Sequence, residues 1–335
     1  MSSPRVSVIM AVHNGEGYLR EAVNSILAQT MKDFEFIIID DGSTDKTPLL
    51  LREYEVLDHR IRLFRLDKNK GLTHCLNMGL RLSMGKYIAR MDADDISLPN
   101  RFSDQIDYLD NNPEVEVLGT GFLIIDEHGE EVHSYMYSGD PSFLRWSFVL
   151  YNPIAHSSVM MRSSGLNRWG GYDEGLMRAQ DYDLWWRISI EGSISNLQKT
   201  CLLIRSHSSQ ISRHHHREQE EFLQQIKRRH LEAALERQIS LGAIAALGGV
   251  RMTAANAAEA GDVLIDYCFY CSTGAALPIQ FKISWQAVKK TFLRLAPHAF
   301  SPIVLGVWGR LCLLLLRMFG ILIRMPLYSF AQKEG

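Results

Sequence analysis

One pattern occurs four times within the first 111 residues: a short apolar run, a polar loop, then a stretch with helical spacing. Val6–Val12 stops at His13-Asn14-Gly15, and Leu19, Val23, Ile26 and Leu27 share one helix face over residues 16–28. Residues 34–39 run into Asp40-Asp41-Gly42-Ser43-Thr44-Asp45, with Pro48 suited to a first helical turn. Residues 61–66 lead through Asn69-Lys70-Gly71 into a helix over 72–83. Residues 86–91 lead through Asp92-Ala93-Asp94-Asp95 into a helix over 99–111. Near-continuous apolar strands alternating with helices specify a parallel sheet covered on both faces, an α/β doubly wound fold. Such sheets bind ligands beyond the carboxyl ends of their strands, where all four polar loops fall.

From Val115 the pattern changes. Val115–Ile125, a turn at 126–129 and a return over 132–137 form a hairpin. Residues 156–162 read as a further strand, 181–190 as a helix, 194–205 as a late strand and 217–238 as a charged helix. The remainder of the chain is apolar and basic without strand alternation. These shifts predict three parts: a catalytic domain over 1–215, a connecting helix over 216–240, and an apolar, basic helical region over 241–335.

The chain has 335 residues, enough for about two folded units, and its net charge of −2 argues against a duplex nucleic-acid partner. The charge is unevenly spread: residues 276–335 carry +7 and residues 1–275 carry −9. Five cysteines, at 75, 201, 268, 271 and 312, and no export signal at the start predict a reducing, cytoplasmic setting. Cys268 and Cys271 form a CxxC without the second ligand pair that zinc needs, so they read as buried apolar positions. His214-His215-His216 has the composition of a metal tract but no neighbouring motif to support it.

The acidic loops carry the chemistry. Carboxylates of Asp92-Ala93-Asp94-Asp95 at the end of a buried strand can hold a hard divalent cation, which in turn bridges diphosphate oxygens. The plainer reading is an acidic turn that caps the next helix. Residues 40–45 offer carboxylates and turn amides to a base or ribose, or form only a tight turn.

In order and spacing, VSVIMAVHNGEGYLREAVNSILAQT, IIIDDGSTD, NKGLTHCLNMGL, GKYIARMDADD and AQDYDLWWRI resemble family 2 glycosyltransferases of the GT-A fold, over about residues 5–212. The resemblance implies inverting sugar transfer from a nucleotide-diphosphate donor, UDP being the expected nucleotide, with Mg²⁺ or Mn²⁺. It implies that Val12, His13 and Asn14 line the nucleotide pocket and that Asp41 faces the base. Asn69 and Gly71 would flank the nucleotide, and Asp92 would approach the ribose. Asp94 would hold the metal, with His207 beside it. Asp181 would be the catalytic base, preceded by Gln180 where many members carry Glu; Asp183 is the next candidate. Trp185 and Trp186 could stack on an acceptor sugar, although helical spacing more often buries such residues, and His156 fits a segment beside the active site. The acceptor implied is a hydroxyl of a glycan or lipid-linked sugar in surface polysaccharide or glycolipid assembly.

Two other classes compete. An adaptor with the fold but without turnover conflicts with an intact Asp94 and Asp181. A dinucleotide-binding dehydrogenase conflicts with Gly15-Glu16-Gly17, which lacks the third glycine of that fingerprint. In the tail, residues 302–323 are long enough to span a bilayer, but Arg310 and Arg317 lie inside the segment and Arg324 continues their seven-residue spacing as one stripe. A basic stripe on an apolar helix fits attachment in the plane of an anionic cytoplasmic leaflet through about residues 276–330. Spanning the membrane and packing within a homo-oligomer are the alternatives.

Overall fold

The computed structural model describes residues 3–208, 216–247 and 254–272. The expected histidine tract at 214–216, apart from the backbone of His216, and the whole segment 276–330 lie outside the described residues. The described residues divide into two compact units: 3–144 with 152–208 and 216–222, and 145–151 with 223–247 and 254–272.

The first unit is built on strands β1 (Val6–Val12), β2 (Phe34–Asp40), β3 (Ile61–Arg65), β4 (Tyr87–Arg90), β5 (Ile96–Ser97), β6 (Val115–Ile125), β7 (Glu131–Tyr135), β8 (Met160–Arg162) and β9 (Ser193–Arg205). Its first four helices are α1 (Leu19–Leu27), α2 (Thr47–Leu57), α3 (Leu72–Leu82) and α4 (Arg101–Asn111). There follow α5 (Pro141–Ser147), at the boundary between the units, α6 (Leu166–Trp169) and α7 (Gln180–Glu191). The sheet order is β3-β2-β1-β4-β8-β6-β9-β5, with β7 added to β6. The first four strands are parallel; β8 runs antiparallel to both β4 and β6, and β9 parallel to β6. The expected parallel half and the hairpin are both present.

Burial explains this arrangement. All seven residues of β2 are buried, because both faces of the strand are covered. Val6, Val8, Met10 and Val12 share one core with apolar residues of α1, α2 and α4. On the opposite face Ile37 and Ile39 pack on Cys75 of α3. Each fully buried Ile or Val contributes about 1.5–3 kcal/mol.

Buried polar groups then fix the strand ends. Arg101 of α4 is fully buried and donates from Nη2 to the carbonyls of Arg90 (2.8 Å) and Val159 (3.1 Å). Burial pushes its pKa down to about 10. Gln105 Nε2 donates to the carbonyls of Leu118 (3.0 Å) and Ser158 (2.9 Å), and Gln29 Oε1 accepts the Phe102 amide of α4 at 3.1 Å. These bonds hold the end of β4 in register with its neighbours.

Three boundaries differ from the sequence expectation. Residues 156–158 form a 3₁₀ turn and only Met160–Arg162 is strand, because Ser158 Oγ turns back to the Ala155 carbonyl at 2.8 Å. The helix expected over 16–28 starts at Leu19, after a turn in which the Gly15 carbonyl accepts the amides of Tyr18 and Leu19. The charged helix α8 (His216–Leu235) stops before Glu236, whose φ of +51° leaves the helical region.

In the second unit, α9 (Leu241–Leu247) and α10 (Ala254–Ser272) pair through buried Ile244, Leu247, Val263 and Leu264. Ser240 Oγ accepts the Ala243 amide at 3.0 Å at the start of α9, and Arg237 bridges to Asp266 of α10 at 3.0 Å. Cys271 is buried on α10. Among the described residues no helix is long and apolar enough to cross a membrane.

Candidate active site

The strand order 3-2-1-4 reverses direction between β1 and β4. The carboxyl ends of these two strands therefore open a crevice, the usual ligand position in such sheets. Val12, buried, ends β1, and His13-Asn14 turns the chain away. Asn14 takes φ +52°, a conformation that asparagine tolerates better than most residues. Its Oδ1 accepts the Thr44 amide at 2.8 Å, and its own amide donates to Ser43 Oγ at 2.9 Å. His13 Nδ1 donates to the Asp41 carbonyl at 2.8 Å, which leaves Nε2 to accept from Asn14 Nδ2 at 3.3 Å. The first loop is thereby locked to the second.

Asp41 locks the second loop to the third. It is buried, with Oδ1 accepting the Lys70 amide at 2.6 Å and Oδ2 the Gly71 amide at 2.9 Å. The chain can offer both amides because Gly71 adopts φ +92°. Asp41 therefore serves first as a clamp across the loops. Asn69 is exposed at the rim of the same loop.

The fourth loop gathers the acids. Carboxylate oxygens of Asp92, Asp94 and Asp95 lie within 4.8 Å of one another. Asp92 pairs with the buried Arg90. Asp95 is almost fully buried, accepting from Ser157 Oγ and from the Arg205 amide at 3.1 Å, which ties the loop to the 3₁₀ turn and to β9. Asp92 and Asp94 both stay partly exposed, and His207 Nε2 stands 3.1 Å from Asp94 Oδ2. Burial and the Asp92 charge raise the Asp94 pKa, and His207 works against that rise. For Asp95, burial and the charges of Asp92 and Asp94 raise it strongly. This accumulation of like charge is what a bound cation relieves, so the three carboxylates fit a hard divalent ion, and Asp94 and His207 are residues that could hold it. The Arg205 guanidinium, 4.6 Å above the Tyr18 ring, pairs with Glu21 and walls the same side.

Helix α7 begins after Ala179, which holds φ +54° without a glycine's freedom, a strain of the kind found at functional sites. Asp181 lies in the first turn, half-buried, with its Oδ2 accepting from Asn152 Nδ2 at 2.9 Å. Burial raises its pKa; the helix amides, Arg90 and Asn152 oppose that rise. A carboxylate so placed is a better proton acceptor than a solvated one. His156, also half-buried, shares a 2.9 Å hydrogen bond with the Tyr172 hydroxyl, and burial then Arg90 hold its pKa well below the usual value.

Two sequence expectations need correction. Trp185 and Trp186 are both fully buried, Trp185 against Tyr172 and His156 and Trp186 against Tyr182. Neither presents a face to an acceptor sugar. Asp183 is also fully buried and bridged to Arg187 Nε at 2.9 Å, so it is no second candidate for the base. Sequence reading missed Arg90, Asn152, Tyr172 and Arg205. Arg90 stands two residues before Asp92 and Arg205 two before His207; Asn152 and Tyr172 lie in segments without a motif of their own.

A mixed, mostly parallel α/β sheet with acids at its switch point defines a nucleotide-sugar enzyme of the GT-A type. The family model described as "Glycosyl transferase family 2" matches residues 7–166. An uncharacterised glycosyltransferase of Haemophilus influenzae is 32% identical over 237 residues, 68% of this chain and 73% of its own length. The O-antigen biosynthesis glycosyltransferase WbnJ of Escherichia coli is 37% identical over 186 residues, 55% of this chain and 71% of its own. Residues 1–349 of Staphylococcus aureus TarS, solved with UDP-GlcNAc, superpose with a TM-score of 0.58 at 17% identity, covering 97% of this chain and 95% of that one. The longer TarS chain is covered over 55% of its length. The chain belongs to glycosyltransferase family 2, and it is a glycosyltransferase related to enzymes of polysaccharide biosynthesis.

Proposed function

We propose that this glycosyltransferase moves a sugar, with inversion, from a nucleotide-diphosphate sugar to a hydroxyl of a glycan or lipid-linked acceptor in surface polysaccharide or glycolipid assembly. The observation that carries this reading is the cluster of Asp92, Asp94 and Asp95 just beyond the carboxyl end of β4, with His207 Nε2 3.1 Å from Asp94 Oδ2. Val12, His13, Asn14, Asp41, Asn69 and Gly71 shape the nucleotide end, and Asp92 stands at the ribose side. Asp94 and His207 hold Mg²⁺ or Mn²⁺. When bound, that ion offsets negative charge on the departing diphosphate. Asp181 takes the proton of the acceptor hydroxyl as its oxygen attacks the anomeric carbon from the face opposite the diphosphate. Configuration therefore inverts. Asn152 orients the Asp181 carboxylate, and His156 with Tyr172 walls the pocket beneath it.

The donor complex of TarS favours UDP as the nucleotide, and the O-antigen biosynthesis role of WbnJ favours a glycan acceptor. A panel of UDP, GDP and dTDP sugars with Mn²⁺, Mg²⁺ or EDTA tests the reading through nucleoside diphosphate release and the anomeric configuration of the product. Retention of configuration, or release undiminished by EDTA, would remove the inverting, metal-dependent mechanism.

The reading includes place. The +7 segment 276–335, with Arg310, Arg317 and Arg324 spaced by seven residues, would hold the enzyme at an anionic cytoplasmic membrane surface beside a lipid-linked acceptor. Vesicles containing anionic lipid should co-sediment the full-length chain, and substitution of all three arginines by Glu should release it. Equal binding to neutral vesicles would defeat the electrostatic part of the claim.

A further inference from the structure

One charge in the site has no part in the scheme above. Arg90 ends β4 and is 3% exposed. It stands in register with Ile9, whose side chain meets α3 at Gly79, so its own side chain leaves the sheet on the face of α3. Nη1 contacts Asp92 without the geometry of a hydrogen bond, and Nε has no acceptor at all.

The charge of Arg90 is felt at Asp94, Asp181 and His156. It favours the ionised forms of Asp94 and Asp181, and it disfavours the protonated form of His156. Burial works against its own charge, and Asp92, with added contributions from Tyr172 and Asp95, opposes that.

A buried guanidinium with an unsatisfied N–H carries a desolvation cost that one carboxylate contact does not cancel. A diphosphate, meanwhile, must settle on a rim already bearing Asp92, Asp94 and Asp95. The two needs match: an oxygen anion supplies the missing acceptor, and the guanidinium supplies positive charge where the acids would repel. Guanidinium is suited to this pairing by its fork of fixed donors.

We propose that Arg90 is a donor-binding residue, its Nε–H taking a diphosphate oxygen of the nucleotide sugar while Nη1 neutralises Asp92, which would otherwise repel that oxygen. This rests on the nucleotide-diphosphate reading of the site.

The test is the preference for diphosphate over monophosphate, measured by calorimetry with the pairs UDP and UMP, GDP and GMP, and dTDP and dTMP, in Mn²⁺ and in EDTA. Wild type should favour the diphosphate of at least one pair. Arg90→Met should cut that preference by ~10-fold or more, the scale of one lost charged hydrogen bond. The loss should appear in EDTA too, where Asp94 and His207 hold no metal, and Arg90→Lys should restore part of it. The double variant Arg90→Met with Asp92→Asn separates the lost donor from an unmasked carboxylate, and the preference should stay reduced there. Melting curves without nucleotide confirm that each variant is folded. A residue that only supports the fold would weaken both nucleotides of a pair alike. An unchanged preference in Arg90→Met and Arg90→Lys, or full recovery in the double variant, overturns the proposal. If wild type prefers no diphosphate, the donor reading itself fails.

Discussion

Replacing Asp181 by Asn separates catalysis from folding more cleanly than any other change at this site. The amide keeps the carboxylate's shape, and its oxygen can still accept from Asn152 Nδ2, which stands 2.9 Å from the native carboxylate. What it loses is the capacity to take a proton. General-base assistance is worth about 10²–10⁴ in rate, or roughly 3–5 kcal/mol of barrier. Turnover should fall by that factor while donor affinity stays near wild type. Stability should move the opposite way. Burial raises the Asp181 pKa in the folded state, so its stabilising contribution is complete below the unfolded pKa and is lost as pH rises through the folded one. At pH 7 to 8 the neutral Asn avoids that loss, and the variant should melt no lower than wild type. In wild type the rate should climb with pH through a limb above the ordinary carboxylate value of about 4, and the variant should lack that limb. Steady-state rates across pH, donor titration and thermal melting together decide the matter. Turnover within about threefold of wild type, or a melting point lowered by several degrees, would show that Asp181 is a structural acid and that the base lies elsewhere.

Four further outcomes rest on named contacts. Asp94→Ala should abolish the Mn²⁺-dependent part of nucleotide affinity in calorimetry, because the remaining acids are engaged by Arg90, Ser157 and the Arg205 amide. Gly42→Ala should cost about 2 kcal/mol or more in chemical denaturation and weaken nucleotide binding. A Cβ there would lie 2.6 Å from the Lys68 backbone, and φ is +67°. Asp183→Asn should lower stability by about 3 kcal/mol, by leaving Arg187 without its buried partner, and should leave turnover per folded molecule within a few-fold of wild type. Gln180→Glu would set a second carboxylate beside Asp181 in the first turn of α7 and should shift the acid limb of the rate profile to higher pH.

The parallel half of the sheet was legible because burial on both faces writes itself as apolar runs; β2, buried at every position, is the plainest example. The loops between strand and helix were legible for a related reason, since turn residues such as Asn14, Gly42 and Gly71 are chosen for positive φ and mark the carboxyl edge directly. The edge strand β5, two residues long and paired only to β9, leaves no periodicity to detect. Trp185 and Trp186 show the converse limit: an aromatic pair after a catalytic acid suggests a sugar platform, and only packing reveals that both rings lie inside the core. Arg90 was missed because an arginine at a strand end normally reaches solvent, and nothing local announces that this one is buried.

The acidic edge is held in an arrangement that its own charges oppose, and the rest of the unit supplies the restraint. Asp92, Asp94 and Asp95 repel one another, Asp181 is partly stripped of water, and Ala179 and Asn14 sit at positive φ. Each carries a cost of order 1 kcal/mol or more. Against this stand Arg101, Gln105 and Gln29, buried and hydrogen-bonded to the carbonyls and amides that frame the crevice, and Asp41 clamping two loops through two amides. Removing an acid from the edge should therefore be tolerated by the fold and punished in function. Removing a member of the supporting network should do the reverse first, by melting the loops before any chemical group is lost. Gln105→Ala leaves the buried carbonyls of Leu118 and Ser158 without their donor, a cost of about 1–3 kcal/mol each at most. Its melting point should fall by several degrees, while the pH limb assigned to Asp181 keeps its position in the molecules that remain folded. A limb that moved with the melting point would mean that the base and its support are not separable, and the division of labour argued for this edge would not stand.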